Sequence, residues 1–288
     1  MMFDWLFPAL GWLLLAFWVI HLVPLWPLFA WGTLRRRTAR IPEAFPSPSV
    51  SVIVPARNEG PHIAASVRSL LALDYPAIEL LVIDDRSDDE TGAILDRTAA
   101  ENPRLRVTHV TELPAGWLGK NHAMHTGALM ASGEFLLFTD GDVLFEPDTL
   151  RLALRYVIAR KLDHLCLIPY LIPGGYWENV ATTGFAFLFT AATRPWLIPT
   201  RWKGAYCGVG AFNLVRRSTY DATGGFDHLR LDVLDDVHLG RMIKQRGYRQ
   251  DALLSGGTIT VRWQHSFWGV IRGLEKNSFA TLDYSVAR

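Results

Sequence analysis

Four short runs of apolar, largely β-branched or aromatic residues, separated by stretches of helical spacing, limit this chain more than any other feature. Ser49–Pro55 (SVSVIVP) reads as a buried strand, and Glu79–Ile83 (ELLVI), Leu105–Val110 and Glu134–Thr139 (EFLLFT) as the next three strands. Between them, residues 60–73 place Ile63, Val67, Leu70 and Leu71 on one side of a helix. Asp88–Ala100 opens with acids in its first turn, and His122–Met130 is the third helix. A β-α-β-α-β-α-β order with short links argues for an α/β fold built on an open parallel sheet. Composition agrees: of 288 residues, 50% are hydrophobic and 20% charged, which excludes a disordered chain. A net charge of +1 gives no basic field for nucleic acid, and two cysteines exclude a disulfide scaffold or a four-cysteine zinc site.

In such sheets ligands bind beyond the carboxyl ends of the strands, and the chemically loaded residues fall there. Pro55, Ala56, Arg57, Asn58 and Glu59 follow the first strand, Asp84 and Asp85 the second, and Asp140-Gly141-Asp142 the fourth. Two carboxylates around a glycine suit one hard cation, since Mg²⁺ commonly binds through one or two carboxylates plus substrate phosphates. An acidic turn is the alternative for that triplet. Asp84–Thr91 (DDRSDDET) is dense in acids; Ser87 with Glu90 forms a capping-box pattern, while Asp84 and Asp85 face the sheet edge, where a carboxylate accepts hydrogen bonds from a base or ribose. Lys120, beside Asn121 at a helix start, suits a diphosphate as a point charge. Asp235-Asp236 open another helix, where acids are stabilising without any function; the remainder of the site asks for a catalytic carboxylate there.

The N-terminus is of another kind. Trp5–Leu34 contains no charged residue, a run longer than the ~20 residues that cross a bilayer core. Trp5 and Trp31 sit at interfacial positions, and Pro24 and Pro27 end or kink the helix. Residues 1–34 are therefore expected to form a transmembrane anchor. Arg35, Arg36, Arg37 and Arg40 follow directly and place the next domain in the cytoplasm, at a bacterial-type inner membrane. Residues 35–49 read as a basic, Pro-rich linker, and 50–288 as the globular domain, with a membrane-proximal part from about 166. Within that part, the apolar segment 179–199 either lies against the bilayer or is an ordinary core helix. Cys207 reads as a small buried hydrophobe.

Taken in order, Val50–Glu59 (VSVIVPARNE), Val82–Thr91 (VIDDRSDDET), Gly119–Ala123 (GKNHA), Ala131–Val143 (ASGEFLLFTDGDV) and Leu234–Gly240 (LDDVHLG) resemble family 2 glycosyltransferases. The likeness, over roughly residues 48–280, is to membrane-attached members that glycosylate hopanoids or carotenoids, and to ceramide glucosyltransferase. LPAGWLGKNHAM is most like that subgroup. The resemblance implies a GT-A (Rossmann-like) fold, a mostly parallel sheet with helices on both faces, following an N-terminal transmembrane helix. It implies inverting transfer of a sugar from a nucleotide-sugar donor, a UDP-hexose, to a lipid hydroxyl at the cytoplasmic membrane face, with Mg²⁺ or Mn²⁺ as cofactor. Carried over by position, Pro55, Ala56, Arg57 and Glu59 line the nucleotide. Asp85, with Asp84 beside it, takes its uracil or ribose side. Lys120, with Asn121, lies near the diphosphate; Asp140 and Asp142 bind metal, and Asp236 is the base. The Gln/Arg-x-x-Arg-Trp motif of polymer-forming members is missing; Arg272 is the nearest substitute, in a segment without the Trp. That absence counts against processive polymer synthesis, which is kept as a rival reading together with a non-catalytic nucleotide- or lipid-binding module. Such relatives also continue into C-terminal membrane helices, so a chain ending at Arg288 is expected to be a shorter member or incomplete.

Overall fold

The computed structural model describes residues 6–22, 31–264 and 266–281. At its centre is a seven-stranded sheet. Strands β1 (Val50–Ala56), β2 (Ile78–Asp85), β3 (Leu105–Val110), β4 (Phe135–Phe138), β6 (His164–Ile168), β8 (Asn213–Arg216) and β9 (Gln250–Leu254) lie in the order β3-β2-β1-β4-β8-β6-β9. Neighbours are parallel except at β8, which runs antiparallel to both β4 and β6. The expected mostly parallel sheet is present. β8 itself is not legible in the sequence: its four residues, NLVR, show no period, and both its buried faces are supplied by neighbours.

Alternation along each strand divides the core. Val52, Val54, Leu80, Val82, Phe135 and Leu137 point to one face and meet α3 (Gly60–Leu71), α4 (Thr91–Glu101) and α6 (Thr149–Arg160). Ile53, Leu81, Leu136 and Phe138 point to the other and meet α5 (Gly119–Met130), α8 (Arg217–Thr223) and α9 (Asp235–Gln245). Full burial of one such side chain contributes about 1.5–3 kcal/mol, and a one-residue slip would exchange the two faces of a strand and break its fit to the helices on both sides. A smaller sheet joins β5 (Leu144–Phe145), β10 (Ile259–Val261) and β7 (Tyr170–Leu171), with β10 in the middle.

Helix α7 (Tyr176–Thr193) packs on α10 (Phe267–Thr281), and Phe185 of α7 stacks on Trp263 with ring centroids 4.8 Å apart. Arg262 is paired to Glu178 at the foot of α7, 3.1 Å away.

The described residues do not support the N-terminal span. Among the described residues the apolar run holds α1 (Leu6–Leu22), 17 residues or about 25 Å at 1.5 Å per residue. Among the described residues no helix is long and apolar enough to cross a membrane. Trp5, Pro24 and Pro27 lie outside the described residues. The segment after it is not simply a linker. α2 (Leu34–Thr38) buries Leu34 in the core and packs on α6. Arg35 pairs with Asp148 (Nη2 to Oδ1, 2.9 Å), and Arg155 donates to the carbonyl of Thr38. Trp31 donates its indole N–H to the carbonyl of Ala252 at 2.7 Å.

Candidate active site

The loops after β1 and β2 are stitched together. The backbone N–H groups of Asn58, Glu59 and Gly60 donate to Ser87 Oγ, Thr91 Oγ1 and Asp89 Oδ2, and the N–H of Asp88 donates to Asn58 Oδ1, all at 2.8–3.1 Å. This corrects the capping box. α4 begins at Thr91, whose N–H is taken by Asp89 Oδ1 at 2.9 Å, and Ser87 is engaged by the neighbouring loop instead. The short polar side chains serve local backbone donors, as Ser and Asp do outside helix interiors. They also hold Asn58 and Arg86 at positive φ (56° and 57°). Pro55 and Ala56 form the end of β1, beneath Gly141.

Successive residues on a strand face opposite ways, and this parts Asp84 from Asp85. Asp84 lies across the strand pair from His109 and bonds its Nδ1 at 2.8 Å, while His109 Nε2 reaches Asp96 at 3.0 Å. These two bonds raise the His109 pKa despite partial burial. Asp84 is thus committed on the α4 side. Asp85 faces α5. Arg86 grips it with two hydrogen bonds, 2.8 and 3.0 Å, and Arg57 approaches to 3.9 Å. A Cβ on Gly119 would stand 2.1 Å from Asp85 Oδ2, so only glycine allows the start of α5 to sit against this carboxylate.

The remaining charges converge on Lys120. In the first turn of α5, its Nζ lies 2.7 Å from Asp140 Oδ1 and 3.8 Å from Asp235 Oδ2. One ammonium so joins the end of β4 to the start of α9. Burial works to lower its pKa, but Asp140, Asp235 and Asp236 outweigh that and hold it charged. Asn121, expected beside the diphosphate, is fully buried and donates to the carbonyls of Leu229 and Asp232, the latter at 2.8 Å. It clamps a loop, because the first turn of a helix rotates successive side chains by ~100°.

Asp140 and Asp142 flank Gly141 with Glu59 close by. Burial, then Asp142, Asp140 and Asp89, push the Glu59 carboxyl up to about 7. Burial and Asp140 likewise raise Asp142. Crowded carboxylates that resist full ionisation are a donor set suited to a hard divalent cation. Among the described residues no three metal-ligating side chains form a complete cage; the pair fits a cation that substrate phosphates help to hold.

Asp235 is buried and Asp236 half-buried. Burial pushes Asp235 up to about 7, against the pull of Lys120. Asp236 accepts from the N–H of Val237 at 2.7 Å; burial, the largest influence, pushes its pKa up, against the pull of Lys120 and the nearby N–H of Gly210. The loop carrying Gly210 lies against α9 backbone to backbone: a Cβ on Gly208 would fall 1.6 Å from the carbonyl oxygen of Asp236. Arg272 is not part of the group. It is exposed on α10 and has no hydrogen bond or ion pair among the described residues. Sequence reasoning missed Arg86 as the partner of Asp85 and Asp235 as the partner of Lys120. Arg86 was legible as the cation next to an acid at a strand end; Asp235 was not, since the contact spans 115 positions (235 − 120).

Residues 51–236 match glycosyl transferase family 2. The chain is 26% identical over 201 residues to the 4,4'-diaponeurosporenoate glycosyltransferase of Staphylococcus haemolyticus, covering 68% of this chain and 52% of that protein. To the beta-monoglucosyldiacylglycerol synthase of Synechocystis it is 29% identical over 198 residues, 67% of this chain and 40% of the relative. It thus spans about half the length of the curated relatives it matches. The fold matches the mannosyltransferase PcManGT of Pyrobaculum calidifontis, solved with GDP-Man and Mn²⁺, with a TM-score of 0.65 over 93% of this chain and 72% of that one at 21% identity. Staphylococcus aureus TarS 1–349, solved with UDP, matches with a TM-score of 0.51 over 74% and 60%, at 19% identity. A motif set that spans the sheet edge, the family match across most of the chain and a shared GT-A fold agree: the chain belongs to glycosyl transferase family 2.

Proposed function

We propose that the protein transfers a sugar, a hexose carried on UDP, to the hydroxyl of a membrane lipid at the cytoplasmic face, with inversion at the anomeric carbon. The observation that carries this is Lys120, which brings the Asp140-Gly141-Asp142 turn and the Asp235-Asp236 helix start to one place. Arg57, Arg86 and Asp85 flank the nucleoside end, and Lys120 exchanges a carboxylate partner for the diphosphate when donor binds. Asp140 and Asp142 would hold a divalent cation, which supplies charge neutralisation to the departing diphosphate. Asp236 takes the proton of the acceptor hydroxyl as its oxygen bonds to the anomeric carbon and the bond to the UDP oxygen breaks. Of the two acids, Asp236 is the less buried by accessible surface, which favours it as the one an acceptor reaches. The lipid acceptor is favoured by the relatives that act on a carotenoid acid and a diacylglycerol, and by exposed Trp177, Phe187, Leu188 and Trp268 on α7 and α10. Such aromatic faces lie in membrane interfaces, and α1 serves as a membrane attachment. The test is release of nucleotide from a panel of UDP- and GDP-sugars with and without membrane lipids, at saturating Mg²⁺ or Mn²⁺ and after chelation. Lipid-dependent release from a UDP-hexose is expected. Release from none of the donors, with UDP still bound, would support the non-catalytic module instead.

A further inference from the structure

A cavity of about 400 Å³ lies away from the carboxylate site, where the N-terminal segment meets the rest of the fold, lined by Trp31, Arg37, Tyr156, Arg160, Trp196 and Arg249. This volume is within the range of small-molecule sites, ~300–1,000 Å³. Its charge is one-sided. Among the described residues that line it, Arg37, Arg160 and Arg249 stand with one acid, Asp251, which is buried and already accepts the Tyr156 hydroxyl at 2.7 Å. Among the described residues neither Arg160 nor Arg249 has a carboxylate at ion-pair distance. Arg160 leans over the Tyr156 ring, 5.8 Å from its centroid, with its guanidinium otherwise exposed. The walls are aromatic, and Trp31 is fixed by its bond to Ala252.

The position of this cavity along the chain indicates what reaches it. Trp31 is nine positions beyond Leu22, the last residue described in α1 (31 − 22), and nine Cα-to-Cα steps can span at most ~30 Å. α1 exposes Trp12, Leu13 and Trp18 at 71%, 68% and 55%. A helix apolar on all sides is stable only in lipid or in a core, so the membrane attachment proposed above puts the cavity mouth within reach of headgroups. Guanidinium forks match phosphate oxygens in pairs, and Trp belongs at the headgroup level.

We propose that this cavity binds the phosphate of an anionic phospholipid, held by Arg160 and Arg249 with Arg37, and so fixes the domain on the bilayer surface. The proposal rests on membrane attachment and is independent of the transfer chemistry. The test is titration of the full chain, in a zwitterionic detergent, with dihexanoyl-phosphatidylglycerol below its micelle concentration, in parallel with dihexanoyl-phosphatidylcholine, glycerol 3-phosphate and inorganic phosphate. One saturable phosphatidylglycerol per chain is expected. It should weaken at least about 10-fold in Arg160→Ala/Arg249→Ala, the order of losing a charged hydrogen bond, and be unchanged in Arg36→Ala/Arg40→Ala, whose side chains lie outside the cavity. Both arginines are exposed, so folding should survive; Arg249→Glu alone, checked by thermal melting, serves if the double variant does not fold. Equal weakening in the control pair, equal affinity for phosphatidylcholine, or binding of inorganic phosphate as tight as the lipid would each overturn it. Because no donor sugar is present, failure of the transferase reading leaves this result untouched.

Discussion

The two halves of the molecule handle polar groups in opposite ways. In residues 50–145 charged groups gather at the sheet edge, as in Asp85 with Arg86 and Arg57, while Ser66 and Thr139 bond singly to buried carbonyls. In residues 164–254 a connected polar network goes inward. His164 is fully buried; its Nε2–H donates to Asn213 Oδ1 at 2.9 Å, while Nδ1 accepts from Gln250 Nε2 at 2.6 Å. Gln250 also takes the N–H of Cys207 and donates to the carbonyl of Gly240, both at 3.0 Å. This interior network fixes the loop from Cys207 to Gly210 against α9, the helix that carries Asp235 and Asp236. The same half leaves aromatics outside: Trp177 is 66% exposed, and Trp268 of α10, the helix that packs on α7, is 67% exposed. The difference teaches a division of labour: one half presents charge to a soluble donor, and the other presents apolar surface while holding the second carboxylate site rigid from behind.

The largest effect that would sharpen this contrast is at the junction. Asp236→Asn should lower sugar transfer by ~10²–10⁴ with UDP affinity unchanged by calorimetry. Asp235→Asn, which leaves Lys120 its 2.7 Å partner Asp140, should lower it about 5-fold or less. Reversed ranks would show that the buried acid, and not the half-open one, meets the acceptor.

Next is the interior network under acid. Burial, only partly offset by the Asn213 bond, holds the His164 pKa at about 4, against 6.5 for the free side chain. The unfolded chain therefore takes up the proton first. The stability contribution is complete above pH 6.5 and is lost progressively between 6.5 and 4, about 3 kcal/mol in all. Urea denaturation of the protein and of His164→Asn across that window should show the difference. An NMR midpoint for His164 near 6.5 would break the contrast.

The exposed aromatics come third. Trp177→Ser and Trp268→Ser should each weaken binding to phospholipid vesicles by about 10-fold, the order of one large apolar side chain, with the melting temperature unmoved. Unaltered vesicle binding in the double variant would remove α7 and α10 from the membrane-facing surface.

The smallest effect is at His109, the edge counterpart of His164. Bonds to Asp84 and Asp96 raise its pKa, so its contribution is fully present below pH 6.5 and is lost as pH rises through the raised value. Its imidazole signals should titrate above 6.5 in the protein and nearer 6.5 in Asp96→Asn. Two histidines shifted the same way would erase the distinction between the halves.

Much of the edge half was legible. The four strands, the helices between them and the loops bearing Arg57, Asp85, Lys120, Asp140 and Asp142 follow from hydrophobic period and from where polar residues interrupt it, both of which are local. Less was legible among residue roles. That Asp84 and Asp85 part company follows from strand alternation alone, yet the partner of Asp84 is named only by the register of β2 against β3. Asn121 looks like a ligand beside Lys120 until the loop at residues 229–232 is folded over it.

By itself, then, the sequence determined the β-α order, the family and the sheet edge at which its carboxylates gather, because apolar periodicity and strand-end residues act over a few positions. Only the tertiary structure decided that β8 inserts antiparallel, that α2 docks on α6, that Asp235 meets Lys120 and that Arg272 stands apart. Each of these is a contact between residues distant in the chain. Its free energy depends on burial and on partners that no local window contains.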